Sequence, residues 1–268
     1  MNDERGALVS GNWKMNENHF EALHLVTELA ALLRQHPLPP GRELSLHPSF
    51  TSLRTVQTAV ETDHVPVALG AQHCHYEDRG AYTGEVSAEM LAKLGVTYVI
   101  AGHSERRQHF GETDEMVRKK LDAILRHGMR PILCVGETLQ ERRAGDAVSR
   151  VTTQLSTALE RRKPDEVAAL TVAYEPIWAI GTGERASADD AEEMCAAIRQ
   201  ELVRMAGARA EAVRIQYGGS VTPDSAGELL GCSNVDGLLV GGASLDATAF
   251  FKIAAAVLPR VGRGGASW

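Results

Sequence analysis

The stretch Leu170-Thr-Val-Ala-Tyr-Glu-Pro-Ile-Trp-Ala-Ile-Gly-Thr-Gly-Glu184 opens on an apolar run, Leu170 to Tyr174, that is too short for a helix and ends against a carboxylate. It reads as a strand buried on both faces, with Glu175 at its carboxyl end and a loop beyond. Runs of the same kind recur along the chain: Leu8 to Trp13, Glu43 to Leu46, Val67 to Ala71, Tyr98 to Ala101, Pro131 to Val135, Arg214 to Tyr217 and Gly237 to Val240. Each is followed by an amphipathic pattern or a turn. A helix over about Phe20 to Gln35 would place Leu25, Leu29, Leu32 and Leu33 on one face, and one over about Glu115 to Arg126 would do the same with Val117, Leu121, Ile124 and Leu125. Repeated strand-then-helix units imply parallel strands, and eight of them match a single α/β (β/α)8 barrel rather than an open sheet. No linker or low-complexity run interrupts the series, and Pro37-Leu-Pro-Pro-Gly41 is short enough for an αβ turn. The expectation is one domain over 1–268, frayed at about 1–6 and 261–268.

The 268 residues, 44% of them hydrophobic, suffice for a large core. A formal net charge of -7 without a basic stripe argues against nucleic acid as a partner and for a small molecule. Met1-Asn-Asp-Glu-Arg5 leads into no apolar leader, and no run is long enough to span a bilayer, so a cytoplasmic protein without membrane contact is expected. Cys74, Cys134, Cys195 and Cys232 are scattered without a C-x-x-C pair, which fits reduced packed thiols.

In such a barrel the site lies at the carboxyl ends of the strands, and the polar residues fall there. Tyr174, Pro176, Ile177 and Trp178 flank Glu175, a setting that disfavours the charged form and raises basicity, as a general base requires. Alone this carboxylate would read as a rim or capping group. The segment after it, Pro176, Ile177, Trp178, Ala179, Ile180, Gly181, Thr182 and Gly183, is stiff at its start and permissive at its end, as in a hinged lid. A lid over a base implies an intermediate that water would destroy. Strand alternation sends Asn12 and Lys14 to one side, and the same parity pairs His103 with Glu105. Gly218-Gly-Ser220 and Gly241-Gly242 follow the last two strands, where unencumbered backbone N–H groups and the Ser220 hydroxyl suit a phosphate; Gly181 and Gly183 could add to them.

Six segments then carry a resemblance: Gly11-Asn-Trp-Lys-Met-Asn16, Gly80-Ala-Tyr-Thr-Gly-Glu85, Ala101-Gly-His-Ser-Glu-Arg-Arg107, Tyr174-Glu-Pro-Ile-Trp-Ala-Ile-Gly-Thr-Gly183, Tyr217-Gly-Gly-Ser220 and Val240-Gly-Gly-Ala-Ser244. In order, and from about Leu8 to Leu258, the chain resembles the triosephosphate isomerase family. The resemblance implies a TIM barrel, a homodimer, a place in glycolysis and gluconeogenesis, and interconversion of dihydroxyacetone phosphate and D-glyceraldehyde 3-phosphate through an enediolate. It assigns proton abstraction to Glu175, carbonyl polarisation to a neutral His103, charge stabilisation to Lys14 and Asn12, and the positioning of Lys14 to Glu105. Gly181, Ser220, Gly241 and Gly242 would hold the phosphate, and Ile180 and Leu239 would press on Glu175 under a closed lid. Neither metal nor organic cofactor is implied. The alternative reading is a related isomerase for a four-carbon sugar phosphate; a metal-dependent hydrolase and a non-catalytic phosphate binder on the same barrel are the rivals from other classes.

His73-Cys-His75 could offer two imidazoles to a metal, but further ligands would have to come from His103 and the distant His47, so the pair is read as the start of a long third loop. In the resembled family that loop, here 73–85, docks beside the partner subunit's site, with Tyr82, Thr83 and Gly84 in the interface. Departures from the family pattern are His73 in place of an asparagine after Gln72, Glu184-Arg185-Ala186 where a lysine commonly follows the last lid glycine, and His47-Pro48-Ser49 at the second loop. If His73 charges as pH falls toward about 6, it would make dimer affinity pH-dependent.

Overall fold

Eight parallel strands close on themselves in sequence order, β1 (Ala7–Asn12), β2 (Arg42–His47), β3 (Ala68–Ala71), β4 (Tyr98–Ala101), β5 (Arg130–Val135), β6 (Thr171–Tyr174), β7 (Arg214–Tyr217) and β8 (Gly237–Val240), with β8 pairing back onto β1. The computed structural model describes residues 5–180 and 186–256. The barrel is therefore the predicted one, and each expected strand lies within a residue or two of its observed position.

Alternation along the strands sorts the interior into two zones. Leu8, Tyr98, Ile100, Ile132, Cys134, Ala173 and Leu239 meet inside the barrel, whereas Val9, Leu44, Leu46, Val99 and Leu133 join the larger core between strands and helices. The lumen is not wholly apolar. Gln216 Nε2 donates to Ser10 Oγ at 2.8 Å, Ser10 and Ser45 share a 2.8 Å bond, and Ser45 Oγ lies 3.0 Å from His47 Nε2. His47 Nδ1 lies 3.1 Å from the Ala71 carbonyl, which fixes the proton of the neutral ring on Nδ1. Burial pushes the His47 pKa down to about 4, against the pull of that carbonyl, so the ring is neutral.

The outer layer begins with α1 (His19–Gln35), started by a capping box between Asn18 and Glu21, and α2 (Phe50–Thr62). The buried face of α1 is Ala22, Leu25, Val26, Leu29, Ala30 and Leu33; Leu32 lies at its margin. After the short α3 (Ala88–Lys93) and α4 (Ser104–Phe110), α5 (Asp114–Arg126) buries Val117, Leu121 and Ile124 as expected. It also buries Lys120, which sequence reading would put in water; its Nζ meets Glu112 Oε2 at 2.5 Å, where Arg106 adds a second cation at 2.9 Å. A buried ammonium is tolerable only with such a partner. The ring is completed by α6 (Leu139–Ala144), α7 (Ala147–Ala158), α8 (Pro164–Ala168), α9 (Ala188–Ala206), α10 (Pro223–Gly231) and α11 (Ala247–Ala255). Each strand thus delivers its carboxyl end, and the loop after it, to one mouth.

Candidate active site

A cavity of about 390 Å³ opens at that mouth, and Asn12, Lys14, His103, Glu105 and Glu175 all line it. Its far wall is glycine backbone, Gly218-Gly219 from the β7 loop and Gly241-Gly242 from the β8 loop, with Ser220 between. Residues separated by more than 160 positions therefore share one small volume, as the strand-end reading requires.

Glu175 follows β6, is 1% exposed, and is clamped by its neighbours' backbone. Its N–H donates to Val135 O at 2.8 Å. A Cβ on Gly136 would lie 1.8 Å from the Glu175 carbonyl, and one on Gly218 would lie 3.1 Å from its Cγ, so glycines on both sides admit the glutamate. Glu175 Oε2 accepts the Ser104 N–H at 2.9 Å, while Oε1 lies 2.9 Å from His103 Nε2 but off the line of a full hydrogen bond. Burial alone would raise this carboxyl; His103, the Ser104 N–H and Lys14 together hold it below its ordinary value. The sequence expectation of a raised basicity is thus not met in this arrangement. The apolar flanks do bury the group, but two donors reach it here and stabilise its charge.

His103 is the N-cap of α4 and accepts the Glu105 N–H on Nδ1 at 3.2 Å. That nitrogen carries no proton while the bond stands, so the ring is the neutral tautomer with its hydrogen on Nε2, aimed at the cavity. Burial lowers its pKa and the Glu175 charge raises it, with the carboxylate prevailing. The helix N-terminus acts the other way, because an imidazolium would have to surrender the Glu105 N–H. The expected strand parity between His103 and Glu105 does not apply: β4 ends at Ala101 and Glu105 lies in α4. Both still reach the site through the helix turn.

Lys14 has φ 54°, a left-handed backbone that costs a non-glycine residue on the order of 1 kcal/mol. Two contacts hold it there: the Lys14 N–H donates to Asn12 Oδ1 at 3.2 Å, and Gln72 Nε2 donates to the Lys14 carbonyl at 2.7 Å. Its Nζ lies 2.5 Å from Glu105 Oε1. With Oδ1 occupied, Asn12 presents its NH2 end as a donor.

Of the lid, Pro176 to Ile180 are described: Ile177–Ala179 form one 3-10 turn and Ile180 reaches the cavity wall. Gly181, Thr182 and Gly183, and the Glu184-Arg185 departure, lie outside the described residues. Sequence reading missed what anchors the lid's first hinge. Glu137, fully buried after β5, accepts Trp178 Nε1 at 2.8 Å and the Tyr174 hydroxyl at 3.0 Å, and Arg142 stacks over the Trp178 ring at 4.7 Å. Its signal was visible in Val135-Gly-Glu-Thr-Leu139, another strand end closing on a carboxylate. Gln72 and its grip on Lys14 were missed too.

His73 and His75 do not converge. His73 packs on Phe50 at 5.0 Å between ring centroids and His75 on Tyr82 at 4.2 Å. Among the described residues no group of three or more His, Cys, Asp or Glu is placed to hold a metal. Burial, then the charges of Arg106 and Lys120, push the His73 pKa down to about 3, so the expected protonation near pH 6 is overturned. Cys134 is fully buried, and burial, with the Glu175 charge beside it, drives its thiol far above the ordinary value and makes it inert.

A buried carboxylate, an imidazole that turns Nε2 toward it and an ammonium held by Glu105 thus line one small cavity at the mouth of a (β/α)8 barrel. The sequence matches the triosephosphate isomerase family over residues 7–257, and the chain belongs to that family. It is 51% identical over 252 residues to the triosephosphate isomerase of Saccharopolyspora erythraea, covering 94% of this chain and 96% of that one. The corresponding enzymes of Streptomyces avermitilis and Mycobacteroides abscessus are each 49% identical, over 93% and 94% of this chain and 97% and 96% of their own.

Proposed function

We propose that Glu175, His103, Lys14, Asn12 and Glu105 carry the reaction of this family, the interconversion of dihydroxyacetone phosphate and D-glyceraldehyde 3-phosphate that this chain catalyses. The observation that supports these roles is their convergence, from β1, β4 and β6, on one cavity whose opposite rim is glycine backbone. Glu175 leaves the Ser104 N–H, takes a proton from the carbon beside the carbonyl and returns it to the neighbouring carbon. The His103 Nε2–H polarises the carbonyl and moves protons between the two oxygens. Lys14, steadied by Glu105, and the Asn12 amide face the enediolate charge, a preorganised field that supplies a large share of the rate. The phosphate sits against the backbone of Gly241, Gly242 and Gly218 to Ser220, and Gly181 of the lid completes its cover. Closure replaces the donors on Glu175 by Ile180 and Leu239, which restores the basicity that its resting contacts suppress. A coupled assay of glyceraldehyde 3-phosphate turnover tests the reading, and a kcat/KM for a four-carbon analogue equal to that for the triose would overturn the substrate assignment.

The whole chain acts as one barrel domain in this reading, cytoplasmic and homodimeric; no described helix is long and apolar enough to cross a membrane. Dimerisation through residues 73–85 is supported by Tyr82, Met90, Met15 and Phe110, large apolar side chains that are 43%, 56%, 95% and 67% exposed in the single chain. Beside the catalytic residues a groove of about 280 Å³, walled by Met15, Phe50, His73 and Phe110, is the seat for the partner's loop tip. Sedimentation at micromolar concentration, expected to give a dimer, tests this.

A further inference from the structure

At the opposite end of the barrel, where the strands begin, lies a second cavity of about 330 Å³, close to the 390 Å³ of the site that takes a three-carbon phosphate. Three arginines line it: Arg5 just before β1, Arg130 opening β5 and Arg214 opening β7. They are anchored rather than adrift. Arg214 is bound to Glu43 at 2.7 Å and to the Tyr98 hydroxyl at 2.6 Å; Arg130 reaches the same hydroxyl at 3.3 Å, and Tyr98 donates onward to Glu43 at 2.7 Å. Two guanidinium groups are thus held against one phenol oxygen with a single carboxylate between them. Arg5 is fixed to Asp236 at 3.0 Å and Glu211 at 3.2 Å, and Asp236 also binds Arg199. Among the described residues the carboxylates that meet these arginines are Glu43, Glu211 and Asp236, the last shared with Arg199. Arg130 is the group left over: among the described residues it meets no carboxylate within ion-pair distance, only the hydroxyl and face of Tyr98. Glu43, although burial works against it, is kept below its ordinary pKa by Arg214, Tyr98 and Arg130.

We infer that this N-terminal cavity is a second anion site, for a phosphorylated or carboxylated molecule no larger than the substrate, held by Arg130 with Arg214 beside it. Planar guanidinium groups on rigid strand starts suit the forked oxygens of a phosphate. The volume falls at the lower end of the range for small-molecule sites. The ligand would bridge the starts of β5 and β7 and stabilise the barrel without touching the catalytic mouth.

Inorganic phosphate is the probe. With 2-phosphoglycolate saturating the catalytic site and sodium chloride matching ionic strength, phosphate at ten times its Kd for the second site should raise the melting temperature by roughly 3–6 °C. Arg130→Gln, and separately Ala169→Glu, which puts a carboxylate into the cavity wall, should abolish that rise while kcat and the competitive inhibition constant of phosphate at the catalytic site stay unchanged. The two variants alter the site from different elements, so misfolding of one leaves the other decisive. A wild-type enzyme whose melting temperature ignores phosphate under these conditions, or variants that keep the full rise, would refute the site.

Discussion

Glu175 is held in the ligand-free site by contacts that oppose its proposed work, which makes its substitution informative. Glu175→Gln keeps shape and one acceptor for the Ser104 N–H but cannot take a proton, so kcat should fall roughly a thousand-fold, about 4 kcal/mol of barrier, with KM within a few-fold of wild type. Retention of a tenth of wild-type kcat would remove Glu175 as the base. Lys14→Ala should raise KM and lower kcat together, because the ammonium faces both the bound phosphate and the developing oxyanion; it also frees Glu105 beside the site. His73 teaches the converse about single residues. Its place in the sequence suggested a charge switch, yet burial, with the charges of Arg106 and Lys120 beside it, holds it neutral throughout the physiological range. Sedimentation of wild type and His73→Asn from pH 8 to 5.5 should therefore give parallel dimer affinities, and a variant that flattened a dependence seen in wild type would contradict the neutral ring.

At the scale of elements, the lid couples Glu137 after β5 to Trp178 after β6, and this coupling supplies a built-in reporter. Saturating 2-phosphoglycolate should shift tryptophan emission and protect the segment from Trp178 to Ala186 against proteolysis. Glu137→Ala should displace the emission of the free enzyme toward that of a solvated indole and weaken the ligand-induced change; an unaltered spectrum would mean that the carboxylate does not set the hinge. What was readable in advance follows the same division. Strands were legible because each is a short, largely apolar run closed by a polar residue or a glycine, and Glu175, His103, Lys14 and Asn12 were legible because strand ends converge in a barrel. Glu105 was placed at the site by a parity that does not exist, since the chain has already turned into α4. Glu137 and Gln72 act through partners far off in sequence, which no local pattern announces, and Lys120 pairs with Glu112 in the turn between α4 and α5. The resting pKa of Glu175 was missed for the same reason: flanking residues reveal burial, whereas the donors at Ser104 and His103 exist only once β4 lies beside β6's neighbours.

For the whole molecule, the lumen histidine gives the barrel a built-in sensitivity to acid. His47 is fully buried on β2, its Nε2 3.0 Å from Ser45 Oγ and its Nδ1 committed to Ala71, with no carboxylate in the series of contacts that links it through Ser10 to Gln216. Its pKa is about 4 in the folded protein, against 6.5 for an unhindered ring. Between those values the unfolded chain binds a proton that the folded one refuses, so stability falls as pH is lowered from about 6.5 to about 4, by about 1.4 kcal/mol per pH unit once within the window. His73, down at about 3, acts in the same sense. His103, raised by Glu175, acts in the opposite one, so the wild-type slope is a net quantity and the difference between proteins is the clean observable. Denaturant unfolding of wild type and His47→Gln at pH 7, 6, 5.5 and 5, at one fixed protein concentration because assembly adds to stability, should show the variant losing less on acidification by about 1 kcal/mol per unit. The variant is expected to be less stable at pH 7, since an amide fits the Ser45 and Ala71 groups less well, and its curve should approach or cross the wild-type curve as the medium becomes acidic. Parallel curves would show that proton uptake by His47 plays no part in the acid response of the fold.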